Sequence, residues 1–253
     1  MLNLPGRTSK PREYGLSMLL DSGLPLELIK GYLELASDHI DYVKLGWGTA
    51  IVTQNLKEKI KLYKDYDIPI SLGGTFFELS LVQNKLDEME EFLKEHEINL
   101  LEISDGTIEL TLEEKLKYIE KYSKNFKVLS EVGSKDIKTV VAPKKWVNEI
   151  KSSLNAGVWK VILEGRESGT AGLYRESHEI RTGLIEEILD EVDVKDLIFE
   201  APQKSQQVWF IKEFGQNVNL GNIAFSDIIS LETLRLGLRS DTFLTFFGED
   251  KCF

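Results

Sequence analysis

LLEISDGTIELTLEEKLKYIEKYSKNFKVLSEVG, residues 100–133, reads as strand, helix and strand in immediate succession. An apolar run from Leu100 stops at the polar step Ser104-Asp105-Gly106. Thr111 then stands where a helix N-cap belongs, with Glu114 at the position from which a side chain caps back. A second apolar run starts at Lys127 and ends in Glu131-Val132-Gly133. Strands that are nearly continuous apolar runs, joined through a helix, belong to a parallel sheet covered by helices.

The same unit recurs outward in both directions. Apolar runs begin at Tyr14, Asp41, Ile68, Leu100, Lys127, Trp159, Leu197 and Val218, at intervals of 21 to 38 residues. Such intervals hold a strand, a loop and a helix, and little else. Helix-period patterns follow Pro25, run from Leu81 through DEMEEFLKEHE, and recur at Trp146–Leu154, Leu184–Glu191, Gln206–Phe214 and Ser230–Leu238. Eight units in 253 residues predict an α/β chain folded as a single (β/α)8 TIM barrel. An open doubly wound sheet is the alternative, weakened by the lack of a GxGxxG turn after the first strand. Residues 1–13 read as an N-terminal arm and 14–253 as the catalytic barrel domain.

Composition removes several classes of function. With 42 acidic against 31 basic side chains the net charge is −11, so no basic face is expected for nucleic acid or anionic membranes. Cys252 stands alone, which leaves no intrachain disulfide and no cysteine-based zinc site. His39, His96 and His178 lack metal-pair or dyad spacing. The first residues carry no apolar core of a signal peptide, and no run approaches the roughly 18 apolar residues of a membrane span. A soluble, cytoplasmic protein is expected.

In a TIM barrel, function sits at the carboxyl ends of the strands. Read in order, those ends carry Asp21, Lys44 with Gly46-Trp47-Gly48, Gly73-Gly74-Thr75, and Asp105. They continue with Glu131 and Lys135, then Glu164-Gly165-Arg166, Glu200, and Asn219 with Asn222. Four acids at successive ends, Asp105, Glu131, Glu164 and Glu200, repel one another unless a cation or basic partner sits among them. Hard oxygen donors without Cys or His suit Mg²⁺; pairing with Lys44, Arg166 or Lys135 is the competing reading. Glu102 is expected to face opposite to Ser104 and away from the mouth. The loop from Arg166 through Ser168 and Gly169 to Gly172 reads as an anion cradle or as a plain flexible loop. Gln203, Ser205 and Asn222 add uncharged donors near strands seven and eight. Trp146, Trp159 and Trp209 read as packing residues, and Arg7, Lys10 and Arg12 as a disordered arm or a reach over a neighbouring anion site.

Seven segments make the pattern specific: DYVKLGWGT, LEISDG, LSEVG, VILEGRESG, LIFEAPQKSQQVWFI, VNLGNIA and ISLETLRLGLRSDTF. Together, from about Lys10 to Phe243, the chain resembles the phosphosulfolactate synthase family of coenzyme M biosynthesis. The resemblance implies a (β/α)8 barrel, an Mg²⁺ cofactor, and a carbon–sulfur lyase reaction that adds sulfite to C3 of phosphoenolpyruvate to give (2R)-phospho-3-sulfolactate. It also implies Lys135 as the general acid. The family commonly has two lysines at that point; here Ser134 precedes Lys135, and the following DIKTVVAPKKW also departs. Lys44, Arg166, Ser168, Gly169, Gln203, Ser205 and Asn222 are the expected substrate contacts, and Asp105, Glu131, Glu164 and Glu200 the expected metal ligands. Two small anionic substrates, no nucleic acid, no membrane and a homo-oligomer complete the expectation. Another Mg²⁺-dependent enolate reaction, of aldol or mutase type, and a non-catalytic anion-binding barrel are the alternatives.

Overall fold

The computed structural model describes residues 2–133, 141–166 and 168–248. Its elements follow in chain order: β1 (Ser17–Asp21), α1 (Leu26–Ala36), β2 (Tyr42–Leu45), α2 (Thr49–Val52), α3 (Leu56–Lys64) and β3 (Ile70–Ser71). Next come α4 (Gly74–Val82), α5 (Leu86–Glu95), β4 (Leu100–Ile103), α6 (Leu112–Tyr122), β5 (Lys127–Val132) and α7 (Pro143–Asn155). The chain ends with β6 (Lys160–Leu163), α8 (Thr182–Leu189), β7 (Leu197–Glu200), α9 (Lys204–Phe214), β8 (Leu220–Ile223), α10 (Ile228–Arg235) and α11 (Ser240–Phe247).

The sheet has eight strands in the order β3-β2-β1-β8-β7-β6-β5-β4, every ladder parallel. β3 and β4 lie side by side at the remaining seam, so the sheet is a barrel closed by contact there. This is the (β/α)8 barrel that the spacing predicts. The capping box at Thr111 and Glu114 forms with both of its hydrogen bonds. The helical pattern from Leu81 is instead split, because Asn84 adopts φ 55, a left-handed step that asparagine tolerates, and breaks α4 from α5.

Strand parity builds the interior in layers. Leu16, Met18, Tyr42, Leu100, Leu129, Ile162 and Ile198 pack together inside the barrel. Residues two positions along a strand share a face. Tyr42 is therefore followed inside by Lys44, Leu100 by Glu102, Leu129 by Glu131, Ile162 by Glu164 and Ile198 by Glu200. An apolar plug thus lies directly beneath a charged layer at the carboxyl end.

The opposite end is closed by the arm. Arg7 pairs with Glu232 at 2.9 Å and donates to Asn217 and the Gly15 carbonyl. Arg12 pairs with Asp41 at 3.1 Å, and Lys10 donates to the Ser37 carbonyl. Gly15, Ser37, Asp41 and Asn217 all lie just before strands, and Glu232 is on α10, so the basic residues of the arm sit at the amino end, away from the charged layer. Arg235 is fully buried there, donating to the carbonyls of Gln216, Val218 and Leu16.

Asp21, at the end of β1, is used up in joining β1 to α3. It accepts from the Gly23 and Leu24 amides, from Lys59 Nζ and from the Tyr63 hydroxyl, each at 2.8 Å. Removing one partner of a buried pair leaves the other charge uncompensated. Asp21→Ala should therefore cost about 3–5 kcal/mol in urea unfolding. A loss below ~1 kcal/mol, the size of an exposed pair, would contradict this assignment.

Candidate active site

The charged layer opens into a cavity of about 520 Å³ at the carboxyl end of the barrel. Lys44, Glu102, Glu131, Glu164, Glu200, Arg166 and Asn222 line it, with Leu20, Gly46, Trp47, Gly73, Gly74, Thr75 and Thr107. Lys44 Nζ lies 2.9 Å from Glu200 Oε1 and 3.7 Å from Glu102 Oε1. Burial would depress the Lys44 ammonium, but Glu102, Glu200 and Glu131 more than offset that and hold it well above the usual lysine range. Its neighbours thus favour the charged form of Lys44.

The acids are not equivalent. Glu200 is satisfied on both oxygens, by Lys44 and by the Gly165 amide at 2.9 Å. Glu164 accepts the Arg166 amide and so shapes the turn into the following loop. Glu102 accepts the Gly74 amide at 2.7 Å, while its buried Oε2 has no hydrogen-bond partner among the described residues. Burial, only partly offset by Lys44 and reinforced by Glu131 and Glu200, pushes the Glu102 carboxyl up to about 7.

The structure separates residues that the sequence reading had grouped. Lys44, Arg166, Asn222, Glu131, Glu164 and Glu200 come together around the cavity. Asp105 instead pairs with Lys115 at 2.8 Å and lines a neighbouring cavity of about 440 Å³. Lys115 is fully buried, and its three donors are taken by Asp105, Glu149 and the Glu131 carbonyl. Ser168, Gly169 and Gln203 belong to the fastening of the loop: Gln203 Nε2 donates to the Ser168 carbonyl at 2.9 Å and Gln206 Nε2 to the Gly169 carbonyl at 3.1 Å. Ser205 is exposed at the start of α9. Lys135 lies outside the described residues.

Glu102 corrects the expectation that it faces away. It shares its face with Leu100, which lies inside the barrel, so it points into the cavity. Lys115 was also legible in principle, since it falls one turn before Ile119 on the buried stripe of α6. Trp47 and Thr75 stand at strand ends already read as part of the mouth, whereas Thr107 carried no comparable signal.

Backbone strain gathers here. Trp47 and Arg166 each have φ 57, a region that costs such residues about 1–3 kcal/mol, and Asn222, of a type that tolerates it, has φ 55. Gly172, at φ 59, packs so closely that a Cβ would lie 2.0 Å from the Glu164 carbonyl oxygen. The loop from Arg166 is thus held back against the strand that carries Glu164.

A parallel barrel with a buried lysine among carboxylates at its carboxyl mouth has the form of a (β/α)8 enzyme acting on a small polar substrate. The family model for (2R)-phospho-3-sulfolactate synthase (ComA) matches residues 5–241, and the chain belongs to that family. Phosphosulfolactate synthase of Bacillus subtilis (strain 168) is 47% identical over 245 residues, covering 96% of this chain and 97% of its own. That of Methanocaldococcus jannaschii is 45% identical over 238 residues, covering 90% and 94%. Among solved structures, 3-hexulose-6-phosphate synthase from Salmonella typhimurium aligns with a TM-score of 0.57 at 10% identity, covering 88% of this chain and all of that one (100%). The YdjI aldolase from Escherichia coli K12 aligns at 0.54 and 11%, covering 85% and 76%. At those identities the two structures share the fold alone.

The Glu102 carboxyl, at about 7 when folded against an ordinary 4.5, binds its proton more tightly in the folded state. Stability should therefore fall as pH rises from 4.5 to 7, where the folded chain holds the extra proton. Glu102→Gln keeps an acceptor for the Gly74 amide and cannot ionise. In thermal melts of metal-free protein, wild type should lose Tm relative to this variant between about pH 5 and 7.5. Parallel curves would contradict the uncompensated carboxylate.

Proposed function

We propose that this chain adds sulfite to C3 of phosphoenolpyruvate, giving (2R)-phospho-3-sulfolactate, with Mg²⁺ as cofactor. The observation that carries the reading is the buried Lys44–Glu102–Glu200 set in a cavity otherwise lined by Glu131, Glu164 and Arg166. Membership of the family supports it across almost the whole chain.

The donor set suits Mg²⁺. Its oxygens are hard carboxylates, and Glu102 has a buried oxygen without a hydrogen-bond partner among the described residues. Among the described residues no three acids converge into a ready cage. That matches an ion that takes one or two carboxylates and completes its shell with water and substrate oxygens. Two of Glu102, Glu131 and Glu164 are the proposed holders, while Asp105 is committed to Lys115. Bound there, Mg²⁺ would act as a Lewis acid that stabilises charge developing on the substrate carboxylate.

The chain's own residues do the rest. Lys44 and Arg166 bring positive charge to a substrate that carries phosphate and carboxylate, Arg166 through a fork of donors that suits such oxyanions. The sulfite sulfur forms a bond to C3 with its lone pair. The C2–C3 π electrons shift toward C2 and the carboxylate, and C2 then takes a proton. Lys135 is the proposed donor, the role implied by its place beyond the EVG motif. No atom leaves, so one carbon–sulfur and one carbon–hydrogen bond replace the π bond. No described helix is long and apolar enough to cross a membrane, and a cytoplasmic setting belongs to the proposal.

Purified protein with phosphoenolpyruvate, sulfite and Mg²⁺ should yield phosphosulfolactate by mass spectrometry, and exhaustive chelation should abolish it. Absence of product at every pH and metal tried overturns the proposal. Lys135→Ala should fold normally and lower kcat by roughly 10²–10⁴-fold, as loss of a general acid does. Asp105→Asn should be far milder than Glu131→Gln. The reverse order would return Asp105 to the metal.

A further inference from the structure

Trp47 is the one tryptophan of the sequence whose placement packing does not explain. Trp146 is buried, Trp209 packs edge-on against Phe210 and Phe214, and Trp159 meets Tyr42 and Lys127. Trp47 is 57% exposed and makes no aromatic contact among the described residues. Its backbone is nevertheless held at φ 57, a conformation that bulky side chains rarely adopt. The flanking glycines make that possible. A Cβ on Gly46 would lie 2.5 Å from Leu20 Cδ1, and Gly48 sits at φ 69. The turn packs against α4, and Trp47 lines the same cavity as Lys44 and Gly73.

Among the described residues, the other side chains around that cavity are charged, polar or absent, apart from Leu20. Strain kept without a packing return points to function. An indole offers an apolar face and a single N–H donor. Phosphoenolpyruvate has anionic groups at one end and an apolar methylene, C3, at the other.

We propose that Trp47 is a substrate-contacting residue: its indole forms the apolar wall that receives the C3 methylene while the anionic groups face Lys44 and Arg166. The assignment rests on the substrate proposed above. It makes the mouth selective for a carboxylate bearing a small unsaturated end, and it keeps bulk water from the carbon that sulfite attacks.

Three variants and one spectroscopic probe test this. Glycine adopts φ 57 without strain, so Trp47→Gly should keep or raise Tm while KM for phosphoenolpyruvate rises by roughly tenfold or more. Trp47→Phe should restore most of that loss, whereas Trp47→Asn, which also tolerates the left-handed backbone, should not. Titrating phosphoenolpyruvate into wild type should change tryptophan emission, and the change should vanish in Trp47→Phe while three tryptophans remain. A Trp47→Gly enzyme with wild-type KM overturns the proposal. So does one with lower Tm and an altered mass in solution, which would make Trp47 a packing or subunit contact. Wild-type protein that forms no product from phosphoenolpyruvate and sulfite defeats the substrate reading itself, and this inference with it; active wild type with an indifferent Trp47 defeats the inference alone.

Discussion

The ammonium of Lys44 is the contact on which the mouth of the barrel depends. It reaches Glu200 at 2.9 Å and Glu102 at 3.7 Å from a position with almost no solvent. Isolated carboxylates at that depth would carry desolvation costs of several kcal/mol each, so the cation makes the layer tolerable. It does not satisfy every carboxylate oxygen. Glu102 is left with a raised carboxyl and an oxygen without a hydrogen-bond partner among the described residues. A protein that only needed a stable barrel would do better with apolar residues at this level.

The layers beneath and around the site follow from strand parity and from saturation of other charges. Tyr42, Leu100, Leu129, Ile162 and Ile198 fill the barrel and force the next inward residue on each strand to the mouth. Asp21 and Lys115, both charged and buried, are fully occupied by local partners and tie loops to helices. They frame the cavity without belonging to it.

Most of the architecture could be read from the chain because parallel strands buried on both faces leave uninterrupted apolar runs, as in LLEI and KVIL. The break at Asn84 was hidden, since α4 carries apolar residues over most of its surface and presents no stripe to end. The mouth was legible as a set of strand ends, and Lys44, Glu131, Glu164, Glu200, Arg166 and Asn222 do share one cavity. Asp105 was assigned by position along the chain, whereas its partners, Lys115 and the helix bearing Glu149, are brought to it by folding. The bonds by which Gln203 and Gln206 hold the Ser168 and Gly169 carbonyls depend on folding and leave no trace in the sequence. Trp47 gave no periodic signal because its place depends on a left-handed turn between two glycines.

The most direct test of the shared-cation account is carboxylate ¹³C NMR on glutamate-labelled protein, with Glu102 assigned by its glutamine variant, in wild type and Lys44→Met. The expected result is that Glu102 titrates near 7, well above the ordinary 4.5, and moves higher still when the ammonium is removed. Titration near 4.5, or a midpoint indifferent to Lys44→Met, would contradict the account.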